Sequence, residues 1–218
     1  MSSPAERRQR ILEGIARAAT LAKRDPAEIQ LIAVSKGQPV EAIEALIDAG
    51  QRDFGENRVQ EAQEKWPALL ARYPDLRLHV IGQLQSNKAA DAVRLFDAIH
   101  SLDRLSLLNA LAKETVKEQR TPSVYIQVNI GEEAQKGGCA IGDLGGLIER
   151  VRASPLPLAG LMAIPPQGVE PAPFFALLAR LARRHDVTGL SMGMSGDYAA
   201  AVMLGATAVR VGSALFED

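Results

Sequence analysis

The sequence predicts an α/β protein: a single (β/α)8 TIM barrel with an extra helix at its N-terminus. Short apolar runs of strand length alternate with amphipathic stretches of helical spacing along the 218 residues, a pattern typical of a parallel sheet. Several runs are apolar on both faces, as strands covered by helices must be. We expect one domain to span residues 1–218.

The first element is a helix over 4–24. Its apolar residues recur at helical spacing, and Pro4 suits the first turn. After it come strands expected at 30–35, 53–55, 76–82, 98–101, 123–129, 158–163, 189–192 and 208–212, each a short apolar run. The expected helices are 39–49, 57–71, 85–95, 103–119, 141–152, 171–184 and 196–204, each with an apolar face.

Eight strands in about 200 residues suit a compact barrel, although such barrels typically approach 250 residues. An open doubly wound sheet is the alternative, and it usually carries a glycine fingerprint after its first strand. That place holds Ser35-Lys36-Gly37-Gln38-Pro39 instead, which favours the barrel.

Composition excludes several classes of function. A net charge of −1 gives no reason to expect nucleic acid or an anionic membrane as partner. The one cysteine, Cys139, permits neither an internal disulfide nor a multi-cysteine zinc site. The N-terminus lacks a signal-peptide core, and no apolar run is long enough to span a bilayer. We therefore expect a cytoplasmic protein without a metal.

Lys36 ends the first expected strand, after the apolar run 31–34. In a barrel of this type the chemistry lies at the carboxyl ends of the strands. Desolvation there would disfavour the charged ammonium and leave an amine able to act as a nucleophile. Taken alone, Lys36 also fits an ordinary strand-end lysine whose head group reaches water.

A phosphate site is expected near the C-terminus. Ser195 and Gly196 follow the seventh strand, where we expect Ser195 to be the N-cap of a helix whose N–H groups face an anion. Arg210 on the eighth strand adds a cation, and Gly212 allows close approach to the backbone N–H groups there. Phosphate sites after strands seven and eight recur in this fold.

Strands one and eight are neighbours in a closed barrel, so Lys36 should lie beside this phosphate site. An amine next to a phosphate site suggests a phosphorylated aldehyde held as a Schiff base, with pyridoxal 5′-phosphate the obvious ligand. A sugar-phosphate aldolase is the alternative. It needs acid and base groups at the barrel mouth, of which the chain offers few.

Several segments together resemble the pyridoxal phosphate homeostasis proteins (the YggS/PROSC family). They occur in order along nearly the whole chain: AVSK at 33–36, FGENRVQE at 54–61, HVIGQLQSNK at 79–88, GLMAI at 160–164, LSMGMSGD at 190–197 and VRVGS at 209–213. The resemblance implies a fold-type III barrel like the N-terminal domain of alanine racemase, without the C-terminal β-domain.

The resemblance also implies roles for individual residues. Lys36 would bind pyridoxal 5′-phosphate covalently, and the phosphate would be held by Ser195, Gly196, Gly212 and Ser213. Arg210 would reach the pyridine nitrogen or the phosphate, and Asn57 would line the pocket near Lys36.

Three further residues lie in the matching segments or the loop between them. We expect His79 to be a core histidine with its hydrogen bonds satisfied. Glu56 is expected to orient Arg58 or Lys88. Lys136 matches a family loop lysine, for which a solvated side chain and a secondary cofactor contact are the alternatives.

No catalytic residue is assigned. Alanine racemases add a β-domain that supplies a second acid/base group, and this chain ends at Asp218 with Tyr73, Tyr125 and Tyr198 away from the strand ends. Without that group, racemisation lacks a proton donor opposite the lysine. The resemblance, together with the missing group, therefore implies a vitamin B6-binding protein that stores, buffers or delivers pyridoxal 5′-phosphate, with apo-enzymes as recipients. The absent dimer-forming domain favours a monomer. A weak racemase-like enzyme is the alternative.

Overall fold

Eight parallel strands form a closed barrel in the order β1 to β8 in the computed structural model, which describes residues 2–217. Met1 and Asp218, the ends of the expected domain, lie outside the described residues. The strands are β1 Gln30–Val34, β2 Asp53–Glu56, β3 Arg77–Val80, β4 Ala98–Leu102, β5 Ser123–Gln127, β6 Leu158–Met162, β7 Gly189–Ser191 and β8 Ala208–Val211. The expected (β/α)8 barrel is confirmed.

Helices cover the outside of the barrel. They are α1 Pro4–Leu21, α2 Val40–Asp48, α3 Val59–Arg72, α4 Ala89–Leu95, α5 Leu105–Glu118, α6 Leu144–Arg152, α7 Ala172–Arg184, α8 Tyr198–Met203 and α9 Ser213–Phe216. Short 3-10 turns occupy Pro26–Glu28, Ser86–Lys88 and Ile141–Asp143. Each expected helix is present with ends shifted by a few residues, while α9, a single turn, was not expected.

The N-terminal helix α1 begins with a capping box. Ser3 Oγ accepts from the Glu6 N–H, and the Glu6 side chain accepts from the Ser3 N–H, which satisfies two donors that a helix start leaves open. The helix ends before 24 because Lys23 adopts a positive φ of 55°.

The same helix supports the end of the chain. It packs against α8 and α9, and Arg7 Nε donates to the Leu215 carbonyl at 2.7 Å. Arg24 donates to the Val202 carbonyl at 2.8 Å. The extra helix therefore holds the two helices that follow β7 and β8.

Strand register determines which loops meet. β1 pairs with β8 through Gln30 with Ala208 and Ala33 with Val211, so the residues after Val34 lie beside Gly212 and Ser213. Within residues 2–217, no helix combines the length and apolar character that a bilayer-spanning segment needs.

Candidate functional site

A cavity of about 400 Å³ opens at the carboxyl ends of β1, β7 and β8, within the size range of pockets that hold small ligands, about 300–1,000 Å³. Six of the seven sequence-predicted site residues line it: Lys36, Ser195, Gly196, Arg210, Gly212 and Ser213. Val34, Gln38, Met194 and Glu217, which the sequence did not single out, complete the lining.

Asn57, the seventh residue, is not among the cavity's lining residues. It follows β2 and is half-buried, and its backbone packs so closely on Gly82 that a Cβ there would meet the Asn57 carbonyl oxygen at 2.2 Å. The Asn57 backbone therefore packs in the turn between β2 and α3, and a contact of its side chain with the cofactor stays a prediction.

The Lys36 side chain is exposed at the cavity. β1 ends at Val34, two residues earlier, so the chain has left the barrel wall where Lys36 projects. The expected desolvation by burial in the strand is therefore wrong. In the described part of the chain, its amine contacts no hydrogen-bond or ion-pair partner and is free to react with a ligand.

Ser195 is not a helix N-cap, contrary to expectation. α8 begins at Tyr198 after Asp197, whose carboxylate accepts from the Met194 N–H at 2.6 Å. The Ser195 hydroxyl oxygen instead accepts from the Gly212 N–H at 3.3 Å. This bond joins the turn after β7 to the end of β8, so the two halves of the expected phosphate site are held together.

Backbone donors face the same region. The N–H groups of Ser195, Gly196, Ser213 and Ala214 have no acceptor among residues 2–217. A Cβ on Gly196 would meet no heavy atom within 4 Å, so the space above this turn is open. Clustered N–H groups bind anions, and these donors fit a phosphate group.

Arg210 supplies a buried cation at the cavity. Its guanidinium donates to Ser191 Oγ at 2.6 Å and to the Ala163 carbonyl at 3.1 Å. Burial lowers the pKa of Arg210 to about 10, against which Asp197 raises it. Arg210 therefore remains charged at neutral pH in an orientation fixed by two acceptors.

A chain of buried hydrogen bonds continues from Ser191 across the barrel. Ser191 Oγ lies 2.8 Å from His100 Nδ1, and His100 Nε2 lies 3.0 Å from His79 Nδ1. His79 Nε2 lies 3.2 Å from Asp53 Oδ1. With both imidazoles neutral, one orientation satisfies every contact: each group donates toward Asp53, starting from Arg210.

The pKa values at the far end suit that orientation. Burial lowers the pKa of His100 well below its usual value, and the electrostatic effects of the neighbouring His79 and of Arg210 act in the same direction. Burial raises the pKa of Asp53, but hydrogen bonds from His79 and Arg77 outweigh it and leave the pKa lowered. His79 is thus a buried histidine with both nitrogens partnered, as expected.

One other expectation is corrected. Glu56 contacts neither Arg58 nor Lys88 among the described residues; its Oε1 accepts from Ser35 Oγ at 2.8 Å and Trp66 Nε1 at 3.0 Å. The Lys136 side chain is 34% exposed, with its amine 2.7 Å from Glu133 Oε2 and 3.5 Å from the Pro165 carbonyl, so a partly solvated lysine and a secondary cofactor contact both stay predictions.

Sequence reasoning missed Ser191, Ala163 and His100, which hold Arg210 in place. Their only sequence signal is that His100 and Ser191 are polar residues inside otherwise apolar strands, where an unpartnered polar group is costly. No group of three or more potential metal ligands occurs within the described residues.

The family model for the alanine racemase N-terminal domain matches residues 9–218. The pyridoxal phosphate homeostasis protein of Pseudomonas aeruginosa is 44% identical, over 99% of this chain and 96% of that protein. The protein of that name from Escherichia coli K12 is 38% identical, over 99% and 97%.

Solved structures are also similar to this chain. PipY of Synechococcus elongatus, solved with pyridoxal phosphate bound, has a TM-score of 0.80 and 41% identity, covering 93% of this chain and 99% of that one. An alanine racemase from Clostridium difficile has a TM-score of 0.68 at 15% identity, covering 94% of this chain and 56% of the racemase, a likeness of fold alone. The chain belongs to the family of pyridoxal phosphate homeostasis proteins.

Proposed function

We propose that this protein binds pyridoxal 5′-phosphate through a Schiff base on Lys36 and serves in intracellular cofactor homeostasis by storing, buffering or delivering it. One observation carries the proposal: a free amine, a buried cation and four open backbone donors line or border a single cavity. The amine matches the aldehyde of that ligand, and the backbone donors match its phosphate. The cation matches either the phosphate or the nitrogen of the ring.

The backbone donors of the cavity fit the phosphate group of the ligand. Ser195 and Gly196 from one loop and Ser213 from the next supply neutral N–H groups around an open space, and Arg210 supplies positive charge nearby. When bound, pyridoxal 5′-phosphate supplies an aldehyde that condenses reversibly with an amine. Lys36, after losing its proton to solvent, supplies that amine, and one water leaves as the C=N bond forms.

The cavity offers little for turnover. Among the described residues that line it, the ionisable ones are Lys36, Arg210 and Glu217. A racemase needs two acid/base groups that act on opposite faces of the substrate carbon. Reversible holding therefore suits this site better than catalysis, and apo-enzymes that need the cofactor are the proposed recipients.

A weak racemase-like activity is the second candidate, and Glu217 is the observation that favours it. Glu217 lines the same cavity as Lys36, and its carboxylate could serve as an acid/base group. Exchange of the α-proton of amino acids in D2O, followed by NMR, would detect this activity. Loss of exchange in Glu217→Gln with retained cofactor would assign it.

The test of binding is an absorbance spectrum before and after borohydride, followed by peptide mass mapping. The proposal expects a yellow protein with the pyridoxyl mass on Lys36. Lys36→Ala should lose the fixed mass while retaining weaker, phosphate-held cofactor, whereas Arg210→Gln should weaken cofactor retention. Lys136→Ala is the control lysine; a fixed mass that disappears there instead would move the site.

A colourless protein that takes up no added pyridoxal 5′-phosphate would overturn the proposal. It would favour a Schiff-base enzyme of the aldolase type, which needs no cofactor.

A further inference from the structure

A second lysine, Lys65 on α3, lies beneath the strand end that carries Lys36. Its ammonium nitrogen is 2.8 Å from Glu56 Oε1, 2.8 Å from Glu61 Oε1 and 2.9 Å from the Ser35 carbonyl oxygen. The ammonium donates hydrogen bonds to Glu61 and to the Ser35 carbonyl, and it forms an ion pair with Glu56. Lys65 is therefore held in one orientation, in contrast to Lys36.

The same group of side chains holds the backbone on both sides of Lys36. On the preceding side, Ser35 is bonded twice: its carbonyl accepts from Lys65, and its hydroxyl donates to Glu56 at 2.8 Å. On the following side, the Gly37 N–H donates to Glu61 Oε1 at 2.6 Å. Gly37 has a positive φ of 69°, so the chain turns sharply where Lys36 projects.

Burial makes Lys65 the centre of this arrangement. The Glu56 side chain is fully buried and that of Lys65 is 12% exposed. A buried carboxylate without a nearby cation is strongly unfavourable, and Lys65 supplies the cation within hydrogen-bond distance. Lys65 thus neutralises two carboxylates at once, of which Glu56 binds the Ser35 hydroxyl and Glu61 binds the Gly37 N–H.

We propose that Lys65 and Glu61 are positioning residues for Lys36: they fix the 35–37 backbone so that the Lys36 amine reaches a bound aldehyde. The inference rests on the proposed covalent bond at Lys36. The phosphate donors lie on other loops, at 195–196 and 213–214, so loss of Lys65 should impair bond formation at Lys36 more than it impairs binding of the phosphate group.

Two ligands separate these effects. Pyridoxal 5′-phosphate can bond to Lys36, whereas pyridoxine 5′-phosphate carries an alcohol in place of the aldehyde and binds without bonding. For Lys65→Met, the apparent affinity for the aldehyde and the yield of borohydride-fixed Lys36 should fall by about tenfold or more, as for loss of a charge-assisted hydrogen bond. The affinity for the alcohol should change by less than about twofold, within the range of a distant substitution.

Lys117→Met is the matched control. Lys117 lies on α5 near Glu114 and Glu118, at 3.5 and 3.9 Å, but is 66% exposed and does not line the cavity. Neither ligand should be affected. Lys65→Arg keeps a cation that can reach the same acceptors, so part of the fixed yield should return.

Lys65→Met leaves a buried carboxylate uncompensated and could fail to fold. Glu61→Ala then decides. It removes the Gly37 acceptor and one partner of Lys65 from a half-buried position but keeps the Lys65–Glu56 ion pair, and it should lower the fixed yield in the same selective way. Equal loss of both ligands in the folded variants, or no loss of either, would overturn the inference. Absence of a Lys36 adduct in the unsubstituted protein would instead overturn the proposed function.

Discussion

Arg210 on β8 donates a 2.6 Å hydrogen bond to Ser191 Oγ on the adjacent strand β7. Ser191 in turn lies 2.8 Å from His100 on β4, so the cation at the cavity is connected to the polar interior of the barrel. The series of hydrogen bonds ends at Asp53, which also binds Arg77. Orientation of the cavity cation therefore depends on residues far from the cavity.

Replacing Ser191 tests that dependence. Ser191→Ala removes one of the two acceptors of Arg210 and the donor to His100, leaving two buried polar groups short of a partner. We expect the free energy of unfolding to fall by about 1–3 kcal/mol, with weaker retention of pyridoxal 5′-phosphate, measured by urea unfolding and by equilibrium dialysis.

Ser101→Ala is the matched control. Ser101 is also fully buried in the barrel, but its hydroxyl has no hydrogen-bond partner among the described residues. Its removal should leave stability and cofactor retention nearly unchanged. Equal losses in the two variants would show that the Arg210 contact has no special role.

His100 should make stability depend on pH. Burial lowers its pKa in the folded protein, while the unfolded value is about 6.5. Below pH 6.5 the unfolded chain binds a proton at this site that the folded protein does not, so the stability contributed above that pH is lost as the pH falls. Below pH 6.5 this group should therefore lower the free energy of unfolding with each unit of falling pH, by on the order of 1 kcal/mol.

Urea unfolding at pH 7.5, 6.5 and 5.5 measures this slope. His100→Asn should flatten it, whereas His185→Asn, at a half-buried histidine outside the chain of hydrogen bonds, should not. An unchanged slope in His100→Asn would assign the pH dependence to other groups.

The fold and the phosphate loops were predictable because their signals are local. Alternating strands and helices give the barrel, and the segment 193–196 with Gly212 marks turns near neighbouring strands. Six of the seven predicted site residues consequently meet in one cavity. Their role as cofactor contacts stays a prediction.

The supporting contacts could not be predicted, because each joins residues distant in sequence. Ser191 and His100 are 91 positions apart, and Lys65 and Ser35 are 30 apart. Only the closed barrel brings such pairs together. The expected burial of Lys36 was wrong because the strand ends at Val34, two residues earlier. A sequence pattern locates the ends of strands poorly.

Cys139 should be an unreactive thiol. It is buried beside the loop after β5, and burial raises its pKa to about 12, with the charges of Asp103 and Asp143 acting in the same direction. The thiolate is the reactive form. At pH 8 the reaction with a disulfide reagent should be at least about a hundredfold slower in the folded protein than in urea. Equal rates in buffer and in urea would contradict the buried position.

Gly193 controls the turn that presents Ser195 and Gly196. Its φ is +93°, and a Cβ there would lie 2.5 Å from Ala201 Cβ and 3.0 Å from Tyr198 Cα. Gly193→Ala must therefore strain the backbone and displace the start of α8. We expect a loss of about 1–3 kcal/mol in the free energy of unfolding.

The same variant should discriminate between ligands. The displaced turn carries phosphate donors but not Lys36, so affinity for pyridoxal 5′-phosphate should fall more than affinity for pyridoxal, which lacks the phosphate. Gly146→Ala is the control, because Gly146 is an exposed residue of α6 with no heavy atom within 4 Å of an added Cβ. That change should raise stability by about 0.5–1 kcal/mol and leave both affinities unaltered. If Gly193→Ala weakens the two ligands equally, the turn does not hold the phosphate, and the anion must bind elsewhere in the cavity.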